Sequence, residues 1–65
     1  MRFTILFRDG AAVADETADA QDITDIARLL EAKAQGENHL TVGLAGGRRR
    51  TVADIRSIEL EAEWP

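Results

Sequence analysis

The stretch IRSIELEAEWP places Glu59, Glu61 and Glu63 at every second position, and three consecutive arginines, Arg48, Arg49 and Arg50, stand a little before it. A second run of acid lies earlier. Asp9, Asp15, Glu16, Asp19, Asp22 and Asp25 fall between Asp9 and Ala27 with no Lys or Arg among them. On an extended strand alternate residues share a face and stand about 7 Å apart, twice the rise per residue. That step is comparable with the spacing of successive phosphates along a nucleic-acid strand, so such a row can compete for a basic groove. Glu59, Glu61 and Glu63, together with Asp15, Glu16 and Asp19, are therefore the expected partner-binding residues, and the expected partner is a protein with a basic surface. The ordinary alternative is a wet sheet face on which Arg2 or Arg8 neutralises the glutamates, if the first and last strands are neighbours.

The arginines are weak evidence for nucleic acid. Glycines precede them, no aromatic residue is interleaved to stack on bases, and the G-x-x-x-x-G-K-[ST] phosphate loop is absent. The chain carries 12 Asp and Glu against 8 Lys and Arg, a formal net charge of −4, whereas duplex binding depends on cations that displace counterions from phosphates. Direct nucleic-acid binding is not expected, and the arginines read as the solvated start of a strand, paired with nearby acids. DETADAQD lacks the glycine and ligand spacing of a calcium loop. One histidine and no cysteine cannot form a zinc site within one chain. A nucleophile–base pair would require His39 and Ser57, the sole His and Ser, to meet by chance. The paired carboxylates of a glycosidase need a cleft around a sugar, for which so short a chain has little room. The expectation is a non-catalytic protein without cofactor or metal.

These residues must be positioned by a small fold. Sixty-five residues without cysteine make one expected domain, 1–65, that relies on tight packing, on association, or on both. A 45% hydrophobic and 31% charged composition is globular, not disordered. No apolar run reaches the length of a membrane span, and MRFTILFRDG is too briefly apolar for a signal peptide. A reduced, cytoplasmic compartment is expected. Seven of the eight basic residues are arginine and alanine is abundant, which suits a GC-rich bacterial or phage genome.

RFTILF alternates, with Phe3, Ile5 and Phe7 on one face and Arg2, Thr4, Leu6 and Arg8 on the other. A three-residue loop, Arg8-Asp9-Gly10 with Gly10 left-handed, pairs Ile5 with Val13 and buries Val13; a two-residue loop would turn it outward. The following acidic segment predicts a helix capped by Asp22 with Asp25 three residues on. Its expected buried stripe is Ile23, Ile26, Ala27, Leu30 and Ala34, with Leu29 at the edge and Gly36 as the stop. NHLTVGL predicts a third strand with Leu40, Val42 and Leu44 inward. Ala45-Gly46-Gly47 would turn it into RRRTV, setting Leu40 beside Val52. A tight turn at Ala53-Asp54 leads to a last strand with Ile58, Leu60, Ala62 and Trp64 on one face. The expected fold is α+β, β-β-α-β-β with a short fifth strand, one helix packed on a mostly antiparallel sheet.

TVADIRSIEL looks like a recurring strand–turn–strand ending of the form V-x-x-I-x-x-I-E, which carries fold information and no activity. By size, acidity and lack of catalytic groups the chain is similar in kind to phage-encoded inhibitors such as anti-CRISPR proteins, an analogy of class that no residue motif carries. Two functions are therefore expected in turn. One is an inhibitor whose acidic face occupies a basic, nucleic-acid-binding groove of a protein partner. The other is a small structural or assembly module that works by strand pairing or sheet-face dimerisation. Leu6, His39, Thr41 and Thr51 are the candidate interface for such a homodimer.

Overall fold

A computed structural model of the chain describes residues 1–43 and 49–65. Strands β1 (Arg2–Phe7), β2 (Ala12–Asp15) and β3 (Ile55–Glu61) form one antiparallel sheet in the order β2-β1-β3, so the first strand is the central one. Helix α1 (Ala20–Ala34) follows β2, and a single 3-10 turn (Val52–Asp54) leads into β3. The class is α+β, as the sequence predicts.

The hairpin has the register that turns Val13 to the core, where it is half-buried. Gly10 is left-handed at φ 91°, its N–H donates to the Phe7 carbonyl (3.0 Å), and the Phe7 N–H donates to the Ala11 carbonyl (2.9 Å). Asp9 Oδ1 accepts from the Ala11 N–H at 3.0 Å. Ile5 then lies opposite Val13.

Helix α1 starts one turn earlier than expected. Its N-cap is Asp19, not Asp22: the Asp22 N–H donates to Asp19 Oδ1 (2.9 Å) while the Asp19 N–H donates to Asp22 Oδ2 (3.0 Å). The D-x-x-D spacing occurs twice here, at Asp19/Asp22 and at Asp22/Asp25, and the earlier box gains extra helical hydrogen bonds. Gly36, at φ 75°, ends the helix. There Glu37 N–H reaches the Ala32 carbonyl and Gly36 N–H the Lys33 carbonyl, the paired bonds of a Schellman stop.

The buried stripe is also turned from the expected one. Ile26, Leu29 and Ala32 are buried, Ile23 is half-buried, Ala27 and Ala34 are exposed, and Leu30 is 51% exposed. Each stripe buries one leucine, so the rotation exchanges Leu30 for Leu29, which joins Ile26, Val42 and Val52 in the core cluster. The stripe meets Phe3, Ile5 and Phe7 of β1, and Val42 and Val52 close the cluster.

Among the described residues the expected third and fourth strands are reduced to a single bridge. Thr41 and Thr51 make one isolated antiparallel bridge, flanked by Val42 N–H to the Arg50 carbonyl and Val52 N–H to the Leu40 carbonyl. Leu40 does lie beside Val52, but the ladder stops at once. Val52 begins the 3-10 turn, which Asp54 caps by accepting from the Thr51 N–H at 2.8 Å. On the other side, Glu37 Oε1 takes the His39 N–H at 2.6 Å and holds the chain out of strand geometry. Leu44, the Ala45-Gly46-Gly47 turn and Arg48 lie outside the described residues.

The expected short fifth strand, β3, is the longest, with seven residues. Leu6 faces Ser57 while Phe7 faces Ile55, so Arg56 is an extra residue and both Ile55 and Ile58 turn toward the core. Beyond Ile58 the helix no longer covers the strand. Leu60 is 48% exposed although its neighbour Phe3 is buried, and Trp64, past the strand end, is 87% exposed. Leu60 and Trp64 therefore do not fasten the strand, contrary to expectation. Among the described residues no helix is long and apolar enough to cross a membrane.

Candidate functional site

The strand order decides what the acidic residues can do. Because β1 is central, the C-terminal ends of β2 and β3 lie on either side of its start. Residues directly opposite one another share a face. The face away from the helix therefore carries Arg2, Thr4 and Leu6 from β1, Ala12 and Ala14 from β2, and Ser57, Glu59 and Glu61 from β3. Leu6 sits half-buried between Ala12 and Ser57.

Arg2 is opposite Glu61. Its Nη2 and Nε both donate to Glu61 Oε2, at 2.7 and 3.2 Å. That hydrogen bond, then the charge of Glu61, and more weakly the charge of Glu16, hold the guanidinium above its ordinary value. Arg8 is not beside the row. Its backbone N–H donates to the Asp54 carbonyl (2.9 Å) and its Nε to the Ala53 carbonyl (3.2 Å), at the other end of β1. Among the described residues the face is thus neutralised at Glu61 alone. Glu59 lies opposite Thr4, exposed and without a basic neighbour across the strand. Glu63 falls past the end of β3, so the predicted row of three along a strand is a row of two.

A shallow hollow of about 320 Å³ lies here, its walls including Arg2, Asp15, Glu16, Glu59, Leu60 and Glu61, and a smaller one beside it adds Met1 and Glu63. Five of the six predicted residues, Asp15, Glu16, Glu59, Glu61 and Glu63, line these two hollows. Asp15 and Asp19 have structural duties. Asp15 lies opposite Phe3, on the helix side of the sheet, where its Oδ1 accepts from the Thr17 N–H (2.8 Å) and hydroxyl (3.1 Å). Asp19 caps the helix. The alternation that makes Asp15 and Glu16 neighbours in sequence puts them on opposite faces. Among the described residues no three His, Cys, Asp or Glu side chains converge in the manner of a metal site.

The far end of the sheet has the opposite character. Arg8, Lys33 and Arg56 border a hollow of about 440 Å³ between α1 and β3, floored by Leu30, Ile55 and Ile58. Sequence reading passed over this groove, because it depends on Leu30 pointing outward and on the bulge at Arg56. The exposure of Trp64, in a chain with one Trp, was equally unreadable from alternation alone. Of the arginine run, Arg50 pairs with an acid as the sequence predicts, but it is neither solvated nor in a strand. Its Nη1 pairs with Asp9 Oδ2 at 2.7 Å, and its guanidinium lies 4.4 Å from the centre of the Phe7 ring.

No family model matches the chain, and neither the curated proteins nor the solved structures contain a significant match to it.

Proposed function

We propose that the protein is a non-catalytic binding protein that docks its carboxylate-rich sheet end on a basic surface of a protein partner and keeps nucleic acid off that surface. The observation behind this reading is the convergence of Glu16, after β2, and Glu59, Glu61 and Glu63, from the last strand and its end, around the guanidinium of Arg2. Four carboxylates against one guanidinium leave a local excess of negative charge that a cationic groove can complement. Glu61 is already engaged by Arg2, so Glu16, Glu59 and Glu63 carry the contact.

The test is capture of partners from a cell extract on the immobilised protein, with salt and competing polynucleotide as eluents. Bound protein should be released by polynucleotide and by raising salt several-fold, since exposed charges are screened within about 8–10 Å at physiological ionic strength. The triple variant Glu16→Lys, Glu59→Lys, Glu63→Lys should capture nothing while keeping the wild-type circular dichroism. Capture that resists salt, polynucleotide and the triple reversal would overturn the reading.

A further inference from the structure

We infer that the outer edge of β3 pairs with β3 of a second copy of this chain, antiparallel about a two-fold axis at Ile58, and that residues 62–65 of each copy lie in the groove of the other. This rests on the outer edge of β3 and on Trp64; it shares Leu60 and Glu63 with the acidic hollows, whereas Glu16 and Glu59 stay on the helix-free face in the pair.

The edge is open for hydrogen bonding. In an antiparallel sheet, successive residues of a strand turn their backbone groups alternately to the two sides. Phe7 donates to Ala11 of β2, so Phe3, Ile5 and Phe7 face β2, while Arg2, Thr4 and Leu6 face β3. Their partners Glu61, Glu59 and Ser57 therefore point inward, and Ile58 and Leu60 present unpaired N–H and C=O groups outward. No bulge, proline or covering loop blunts the stretch Ser57–Glu61, which is how native edges usually avoid such pairing.

The occupant follows from the register. With Ile58 facing Ile58, Ser57 faces Glu59, so no like charges meet across the new ladder. Past Glu61 the second chain runs beyond the Arg56 bulge toward Ala53, whose carbonyl already holds the Arg8 guanidinium at 3.2 Å. By alternation from Leu60, Trp64 of the second copy stands on the helix side, toward the groove bordered by Leu30, Ile55 and Ile58. Among the described residues Arg8, Lys33 and Arg56 are in no ion pair, so an arriving Glu63 meets uncompensated positive charge. Trp64, at 87% the most exposed large apolar side chain among the described residues, thereby reaches an apolar hollow that its own chain does not fill. The two β1 strands would lie three strand spacings apart, roughly 14 Å, which leaves room for both helices on the same face.

Trp64 is the sole tryptophan, so its emission reports the contact directly. Sedimentation equilibrium between about 1 and 100 μM should show a monomer–dimer equilibrium, accompanied by a blue shift of tryptophan emission over the same range, as expected for an aromatic anchor entering a pocket. Trp64→Ala, at an exposed position, should raise the dimer dissociation constant roughly thirtyfold. Leu60→Pro removes an outward N–H, which an edge strand tolerates, and should leave a folded monomer by circular dichroism. A chain that stays monomeric with unshifted emission at 100 μM overturns the proposal. So does a dimer that survives both substitutions, which would have its interface elsewhere.

Discussion

Arg50 shows how a residue that reads as surface charge becomes part of the packing. Its side chain is only 11% exposed, it lies on the Phe7 ring, and it pairs with Asp9. Desolvation strengthens both contacts, and the aliphatic stem covers core surface as well. Arg50→Ala should therefore cost about 1–2 kcal/mol, read as a lower urea midpoint at constant slope. Arg2→Ala is the contrast. Both members of the Arg2–Glu61 pair are more than half exposed, water and salt screen them, and the midpoint should hardly move. Nothing in the triplet Arg48–Arg49–Arg50 distinguishes the packed arginine from its neighbours. The distinction arises from Phe7 and Asp9, about forty positions upstream in the same hairpin.

At the scale of elements, the parts legible in the sequence are those fixed by two agreeing local signals. The hairpin register had both Gly10 and the apolar face of Val13 behind it, and the helix stop had Gly36. The helix start had two equal candidates, and only the cap geometry at Asp19 resolves them. Asp19→Ala should cost about 1 kcal/mol and lower helicity at the N-terminal turn, whereas Asp25→Ala should not fray it. The buried stripe is tested in the same way. Leu29→Ala should cost about 2–5 kcal/mol and Leu30→Ala no more than about 0.5 kcal/mol, the reverse of what the periodic pattern alone implies. Both are measured by thermal or urea unfolding. The acidic row was legible as alternation in ELEAE. Its neutralisation at Glu61 was not, because it follows from β1 lying next to β3, a pairing of residues 59 positions apart.

The whole molecule is a slab of 37 × 24 × 17 Å, one helix thick over one sheet, with its charge sorted along β1. Carboxylates crowd the Arg2 end, and Arg8, Arg50, Arg56 and Lys33 mark the other. Much of the cohesion passes through the central strand, whose Phe3, Ile5 and Phe7 are all but completely covered, with Ile5 at 0% exposure. A chain of this length has about 3–10 kcal/mol of stability in total, and removing a buried isoleucine side chain costs about 2–5 kcal/mol. Ile5→Ala should therefore leave the protein largely unfolded near 37 °C, seen as loss of the far-ultraviolet dichroism and of cooperative melting.

That the first strand is the central one also has a meaning in time. During translation Phe3, Ile5 and Phe7 emerge early, yet one flank of β1 waits until Ile55–Glu61 has been made. At roughly 5–20 residues per second this is an interval of seconds. The hairpin and the helix can form in that window, but the nascent chain carries a strand with an open side and an incomplete apolar cover. Closing the sheet joins distant segments and is the step that loop entropy slows. Folding should thus be completed only after the last strand clears the ribosome, and the unfinished chain is the form that chaperones meet.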